Sequence, residues 1–400
     1  SLAGGFATSG VMLLGARALQ GVGGALAAPA ALALLTTTFK EGSARIRAIG
    51  LFTTVSAAGG AMGLVAGGLL TEWASWRWVM FVNVPIGVAV FLVGRAVLTE
   101  TERRRGRFDL AGAITSTVGM TAVVFGLVEA GSDGWAAPVT VGSLAVGVGL
   151  LALFVHIERT AAEPILPLRI LTDRTRASAN VARGLGYAGM YGIIFFLTQF
   201  LQDIQGHSSL VTGIGFLPTP LSVFLSSQLT SKVLVNRIPA KALMMVGLAS
   251  SALGLLLATQ LHVGTGYPQV LASLILIGAG MGISFVSLTT AGLAGVAHAD
   301  AGAASGLVNV MQQVGAALGL AVLVTIFDTV TPGARSAGLS QAATASGAAR
   351  AALVHGIDIT MGAGAIFAVV ALAIVTFLIR STAEAAVPEA AGVELEAAAA

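Results

Sequence analysis

Hydrophobic positions along this 400-residue chain come in long unbroken blocks, and the strict alternation of a membrane β-barrel is absent. A hydrocarbon core about 30 Å thick needs about 20 apolar residues per helix. Eleven blocks of that length follow one another: Val11–Thr37, Ala48–Thr71, Val79–Val97, Leu110–Val128, Val139–Ile157, Ala179–Leu201, Leu210–Ser231, Ala240–Leu261, Gln269–Ala297, Ala301–Phe327 and Ile357–Ile379. The expected fold is therefore an all-α polytopic membrane protein. Ser1–Ser9 is also apolar but too long for one span when joined to the next block, so it reads as the tail of an earlier helix.

Composition agrees: 56% of residues are hydrophobic and only 10% charged, against about 25% charged in soluble domains. With no cysteine and five histidines outside any HxxxH or HExxH spacing, neither disulfides nor a metal site is expected. A phosphate-binding GxxxxGK[ST] loop is missing from the sequence, and no cofactor is expected. The connecting segments are too short for a catalytic domain.

The pI near 9.7 rests on a net charge of only +3, so the location of the basic residues matters more than their number. Strict alternation of sides puts sixteen Lys and Arg on one face, including Lys40, Arg45, Arg47, Arg103, Arg104, Arg105, Arg107, Arg174, Lys232 and Lys241. Only Arg77, Arg335 and Arg350 fall on the other, and Arg17 and Arg183 lie inside helices. Short loops rich in these residues stay cytoplasmic during insertion. The first complete helix is thus expected to start outside and the C-terminus to end inside, in a plasma (inner) membrane. Nucleic acid drops out as a partner.

The chain also repeats itself. Gly50-Leu51 and Gly59-Gly60-Ala61-Met62-Gly63-Leu64 align with Gly306-Leu307 and Gly315-Ala316-Ala317-Leu318-Gly319-Leu320 at an offset of 256. In the preceding helix, Leu19-Gln20-Gly21 aligns with Leu276-Ile277-Gly278 at 257. Duplicated halves are common in secondary transporters. Three helices precede Leu276 in the second copy, so their partners are expected before Ser1, giving fourteen helices in all. The expected organisation is 1–98 as the remainder of a first six-helix half and 99–178 as a central two-helix insert with its loops. A second six-helix half follows over 179–381, then an acidic, Ala-rich, disordered tail over 382–400.

Arg17-Ala18-Leu19-Gln20-Gly21-Val22-Gly23-Gly24, the run Gly59, Gly63, Gly67, Gly68, the Trp76-Arg77-Trp78…Asn83-Val84-Pro85 connection and Ala304-Ser305-Gly306-Leu307-Val308-Asn309…Gln313-Val314-Gly315 occur in this order. In these motifs the chain resembles the fourteen-helix drug/proton antiporters of the major facilitator superfamily. The resemblance implies export of amphipathic drugs or toxic metabolites in exchange for protons, with the proton gradient as energy source, by a protein acting as a monomer.

Arg17 lies roughly 10–15 Å into its helix, where a charge is costly unless it meets a partner or water. Gln20, Gly21, Gly24 and Ala28 continue its face. The residues leave two roles open: orienting a protonatable carboxylate, or bonding backbone carbonyls between helices. The resemblance favours the first, a proton-coupling set of Arg17, Gln20 and Gly21 whose partner acid belongs to the family's first helix. Gly59, Gly63 and Gly67 recur every fourth residue, a face that lets a backbone approach closely. By resemblance, with Gly68, they form the antiporter glycine motif, although Leu64 stands where the family has proline.

Asn309, Gln312 and Gln313 offer neutral hydrogen bonds to a substrate cavity or between helices, and Phe195 and Gln199 could line the same cavity. Arg183, one turn inside the apolar block on the basic side, is expected to snorkel to water. Asp203, Glu129, Asp133 and Asp328 read as exposed groups at outer helix ends. Besides multidrug export, two readings stay open: a dedicated exporter of one endogenous metabolite, and a membrane sensor or enzyme reusing the fold.

Overall fold

A computed structural model describes residues 1–39, 42–98, 109–297, 300–331 and 347–379. Lys40, the run Arg103–Arg107, Arg335, Arg380 and the tail expected over 382–400 lie outside the described residues. The helices are α1 (Leu2–Gly5), α2 (Gly10–Thr38), α3 (Ser43–Trp73), α4 (Trp76–Phe81), α5 (Asn83–Val97), α6 (Leu110–Asp133), α7 (Pro138–Thr160), α8 (Arg169–Thr172) and α9 (Arg174–Gln199). A π-turn (Phe200–Ile204) ends α9, and α10 (Ser209–Gly215), α11 (Pro218–Lys232), α12 (Ala240–Ala258), α13 (Tyr267–Leu293), α14 (Ala301–Val330) and α15 (Gly347–Leu378) follow. No strand occurs among the described residues, and eleven helical segments there are long and apolar enough to cross a membrane.

Local chemistry sets the boundaries. Ser9 accepts from the Met12 amide at 3.2 Å, Asp109 from Gly112 at 2.8 Å and Asp173 from Arg176 at 2.7 Å, each satisfying an amide that the first helical turn leaves unpaired. Pro218 and Pro220 lack amide hydrogens, and the block expected as one helix over 210–231 is accordingly broken into α10 and α11. The Trp76-Arg77-Trp78 corner ties α4 to the start of the chain. There the Arg77 guanidinium stacks on Trp76 at 4.8 Å and Nη2 donates to the Ala7 carbonyl at 3.2 Å.

Burial is uneven. More than half of the most apolar stretch of α9 and of α13 is buried, whereas the α4–α5 segment buries none. The main core gathers Phe196, Phe200, Leu255, Ile277, Leu323 and Ile357 from α9, the π-turn and α12–α15. At the basic end of the helices, Leu32 of α2 packs with Ile170, Leu293, Ala304, Leu307 and Val308, joining the first part of the chain to α13 and α14. α3 runs along α10 and α11.

Candidate functional site

Arg17 and Gln20 are brought together. Both lie on α2, one turn apart, and the Arg17 Nη1 donates to Gln20 Oε1 at 2.7 Å. Gln20 Nε2 in turn donates to Ser1 Oγ at 3.0 Å, so its amide is held at both ends and presents its oxygen to the guanidinium. Arg17 is exposed, and a Cβ built on Gly21 meets nothing within 4 Å.

The four motif glycines separate. A Cβ on Gly59, Gly63 or Gly67 meets nothing within 4 Å, whereas one on Gly68 would lie 2.8 Å from the Ser209 carbonyl oxygen and 3.1 Å from Leu210 Cα. One turn before Gly68, the Leu64 carbonyl oxygen would lie 2.7 Å from a Cβ on Gly213. The close backbone approach of α3 to α10 is thus at Leu64 and Gly68.

The three amides on α14 do not act as one cluster. Asn309 donates to the Ser305 carbonyl of its own helix at 3.0 Å, Gln313 is exposed, and Gln312 turns to α9. There it accepts from Arg183 Nη2 at 3.0 Å, while Arg183 Nη1 donates to Thr289 Oγ1 of α13 at 2.6 Å. Phe285 covers the guanidinium face at 3.9 Å, and Tyr187 lies 5.4 Å away.

Arg183 therefore does not snorkel: only 4% of it is exposed. α9 begins at Arg174, five residues before the apolar block, so Arg183 is more than two turns from its helix end and α13 and α14 close over it. Its cation is stabilised by neutral acceptors and aromatic faces, and its Nε is buried without an acceptor among the described residues. Phe195 is half-exposed and packs edge-on against Phe196, which is fully buried. The Gln199 Oε1 is buried with no partner among the described residues.

Asp203 is half-buried within the π-turn rather than fully exposed, and Asp133 is exposed. Sequence reading passed over Asp358, which lies on α15 with Oδ1 buried and unpartnered among the described residues. Its signal was available: it is the single carboxylate of the apolar run 351–379. Among the described residues no group of three or more His, Asp or Glu could hold a metal ion.

This helical membrane architecture, with Arg17 and Arg183 each placed within a membrane-length helix, matches a known family. Residues 1–320 match the sequence profile of the Major Facilitator Superfamily, and the chain belongs to that family; it is a multi-pass membrane transporter and not an enzyme. It is 40% identical over 396 residues to the puromycin resistance protein pur8 of Streptomyces alboniger, covering 96% of this chain and 76% of that protein. It is 38% identical to the cephamycin export protein CmcT of Amycolatopsis lactamdurans, covering 83% of this chain and 70% of that protein. To the multidrug resistance protein Stp of Mycobacterium tuberculosis it is 34% identical, covering 81% of this chain and 60% of that one. A crystal structure of a bacterial homologue of the human lysosomal transporter Spinster superposes with a TM-score of 0.55 over 95% of this chain and 79% of the other, at 20% identity, and so shares the fold.

Proposed function

We propose that this protein exports amphipathic small molecules, antibiotics among them, across the plasma membrane in exchange for protons. The export reading is supported by similarity to proteins named for antibiotic export and resistance. One observation carries the coupling reading: an arginine about 10 Å inside the start of the α2 span whose guanidinium is held by the neutral Gln20 amide, at 2.7 Å. So held, Arg17 is oriented by Gln20 while keeping N–H donors for a carboxylate that gains and loses the transported proton. Gly21 and the open face of Gly59, Gly63 and Gly67 leave room for a neighbouring backbone to slide.

Substrate would bind beside Gln312 and Gln313, near Asn309, where neutral amides suit varied ligands, with Phe195 and Gln199, about three to four turns further along α9, touching only the far end of such a path. Alternating access would part the Leu32 contact with Leu307 and Val308 and rock 1–98, the remainder of the first half, against the second half, 179–381. The basic face and C-terminus would be cytoplasmic, and the transporter a monomer.

A second reading is a dedicated exporter of one compound, favoured by relatives named for a single antibiotic each, puromycin and cephamycin.

Energised inside-out vesicles carrying the protein, challenged with lipophilic cations and uncharged antibiotics, test these readings. Substrate-evoked proton release that disappears in Arg17→Ala is the expected result, and a response confined to one compound would select the dedicated exporter. A flat response from a correctly inserted protein would overturn proton-coupled export.

A further inference from the structure

Between α3 and α11 lies a cavity of about 660 Å³, lined by Arg47, Leu51 and Thr54 of α3 and by Phe224, Gln228, Ser231 and Lys232 of α11. Spacings of three and four residues put each set on one helix face. The two helices meet at its floor: Gln228 Nε2 donates to Thr54 Oγ1. A Cβ on Gly50 would lie 2.5 Å from the Ser231 Cβ, so glycine is what permits the approach.

Its charge is one-sided. Arg47 and Lys232 come from different helices, 185 positions apart in sequence, and no carboxylate is among the described lining residues. Both sit at the basic end of their helices. From Lys232, the exposed Leu229, Leu225 and Leu221 recede along α11, with exposed Leu51 and Val55 beside them on α3. Lys232 to Leu221 is 11 residues, roughly 16 Å at 1.5 Å per residue and about half of a 30 Å hydrocarbon core. A phosphate-sized anionic head with an apolar tail one leaflet deep matches both parts. Arginine offers a planar fork to phosphate oxygens and lysine a compact charge.

We propose that this cavity binds an anionic phospholipid of the leaflet on the basic side, its phosphate between Arg47 and Lys232 and its acyl chains along the α11 leucines. The two cations disfavour a lipophilic cation there, which sets this site apart from the substrate site proposed near Gln312. A lipid seated at this point bridges α3 and α11, helices from opposite parts of the chain, and stabilises the arrangement in which they touch. The site is independent of whether the protein exports drugs.

The test is native mass spectrometry on the full chain released from nanodiscs of phosphatidylglycerol or of phosphatidylcholine, with inorganic phosphate as a soluble competitor. Phosphatidylglycerol should remain bound to the unmodified protein, and phosphatidylcholine should not. The paired change Arg47→Gln with Lys232→Gln should lower retention by a factor on the order of ten or more, since each cation near an anionic lipid contributes about 1 kcal/mol. Leu51→Trp keeps both charges but fills the cavity, and should lower retention as well. Helical circular dichroism of each variant reports that it is folded. Equal retention of phosphatidylglycerol by the folded variants would overturn the site. So would equal retention of the two lipids, which would leave only apolar contact, or displacement by millimolar inorganic phosphate, which would make it a soluble-anion site.

Discussion

Arg183 of α9 and Gln312 of α14 are 129 positions apart and joined by a 3.0 Å hydrogen bond, and with Thr289 of α13 they lock three helices around one buried cation. The arrangement substitutes neutral dipoles and an aromatic face for a counter-ion, and it stands or falls on those acceptors.

Thr289→Val keeps the shape and deletes one acceptor. It should lower stability by about 1–3 kcal/mol, the cost of leaving a buried polar group unsatisfied, seen as a lower unfolding midpoint in detergent. Thr289→Ser should recover most of the loss. An unchanged midpoint for the valine variant would show that Arg183 does not depend on this bond.

The motif glycines should divide by position. At Gly68 the neighbour of an added Cβ is backbone, the Ser209 carbonyl at 2.8 Å, so Gly68→Val should destabilise by about 1–3 kcal/mol through overpacking. Gly63→Ala meets nothing within 4 Å and, given the higher helix propensity of alanine, should leave stability equal or raised by up to about 1 kcal/mol. Loss of transport in a Gly63→Ala protein that unfolds no more easily would then point to movement rather than packing.

At the basic face, Arg169 donates to Asp300 through Nε at 3.0 Å and Nη2 at 2.8 Å. This hydrogen bonding holds the Asp300 carboxyl below its ordinary 3.8. A lowered folded-state value means the pair stabilises the fold fully above that ordinary value and loses this contribution as pH falls through the lowered one. Unfolding midpoints taken from pH 6 down to pH 3 should therefore drop less in Asp300→Asn than in the unmodified protein. Parallel curves would remove the pair from the pH dependence.

Gln20→Leu leaves Arg17 in place but removes the 2.7 Å acceptor that orients it. A hydrogen bond to a charged group contributes about 1.5–3 kcal/mol, so substrate-evoked proton release should fall about tenfold while insertion is unaffected. Full activity would mean that Gln20 plays no part in coupling.

The eleven spans were legible in sequence because a lipid core imposes one simple requirement, about 20 apolar residues per crossing, on each segment separately. The Arg17–Gln20 contact was legible for a similar reason: two residues three apart on one helix are neighbours whatever surrounds them. Helix ends were read less well where charged residues extend a helix beyond its apolar block, as at Arg174, and that shift of five residues carried Arg183 from an expected surface position into the interior. Hydropathy by itself likewise did not mark Pro218 as the point where one apolar block becomes two helices.

What the sequence by itself determined is the membrane class, the number of spans and the family, since each depends on composition, period or motif along the chain. Which residues share a site was decided by tertiary structure alone. Thr289 and Gln312 reach Arg183, and Lys232 joins Arg47 at one cavity, only because α9 packs on α13 and α14, and α3 on α11. Those pairings rest on close approach at small residues such as Gly50 of α3 against α11 and Gly315 of α14 against α9, and in a chain with 52 glycines no local pattern distinguishes those that meet another helix from those that do not.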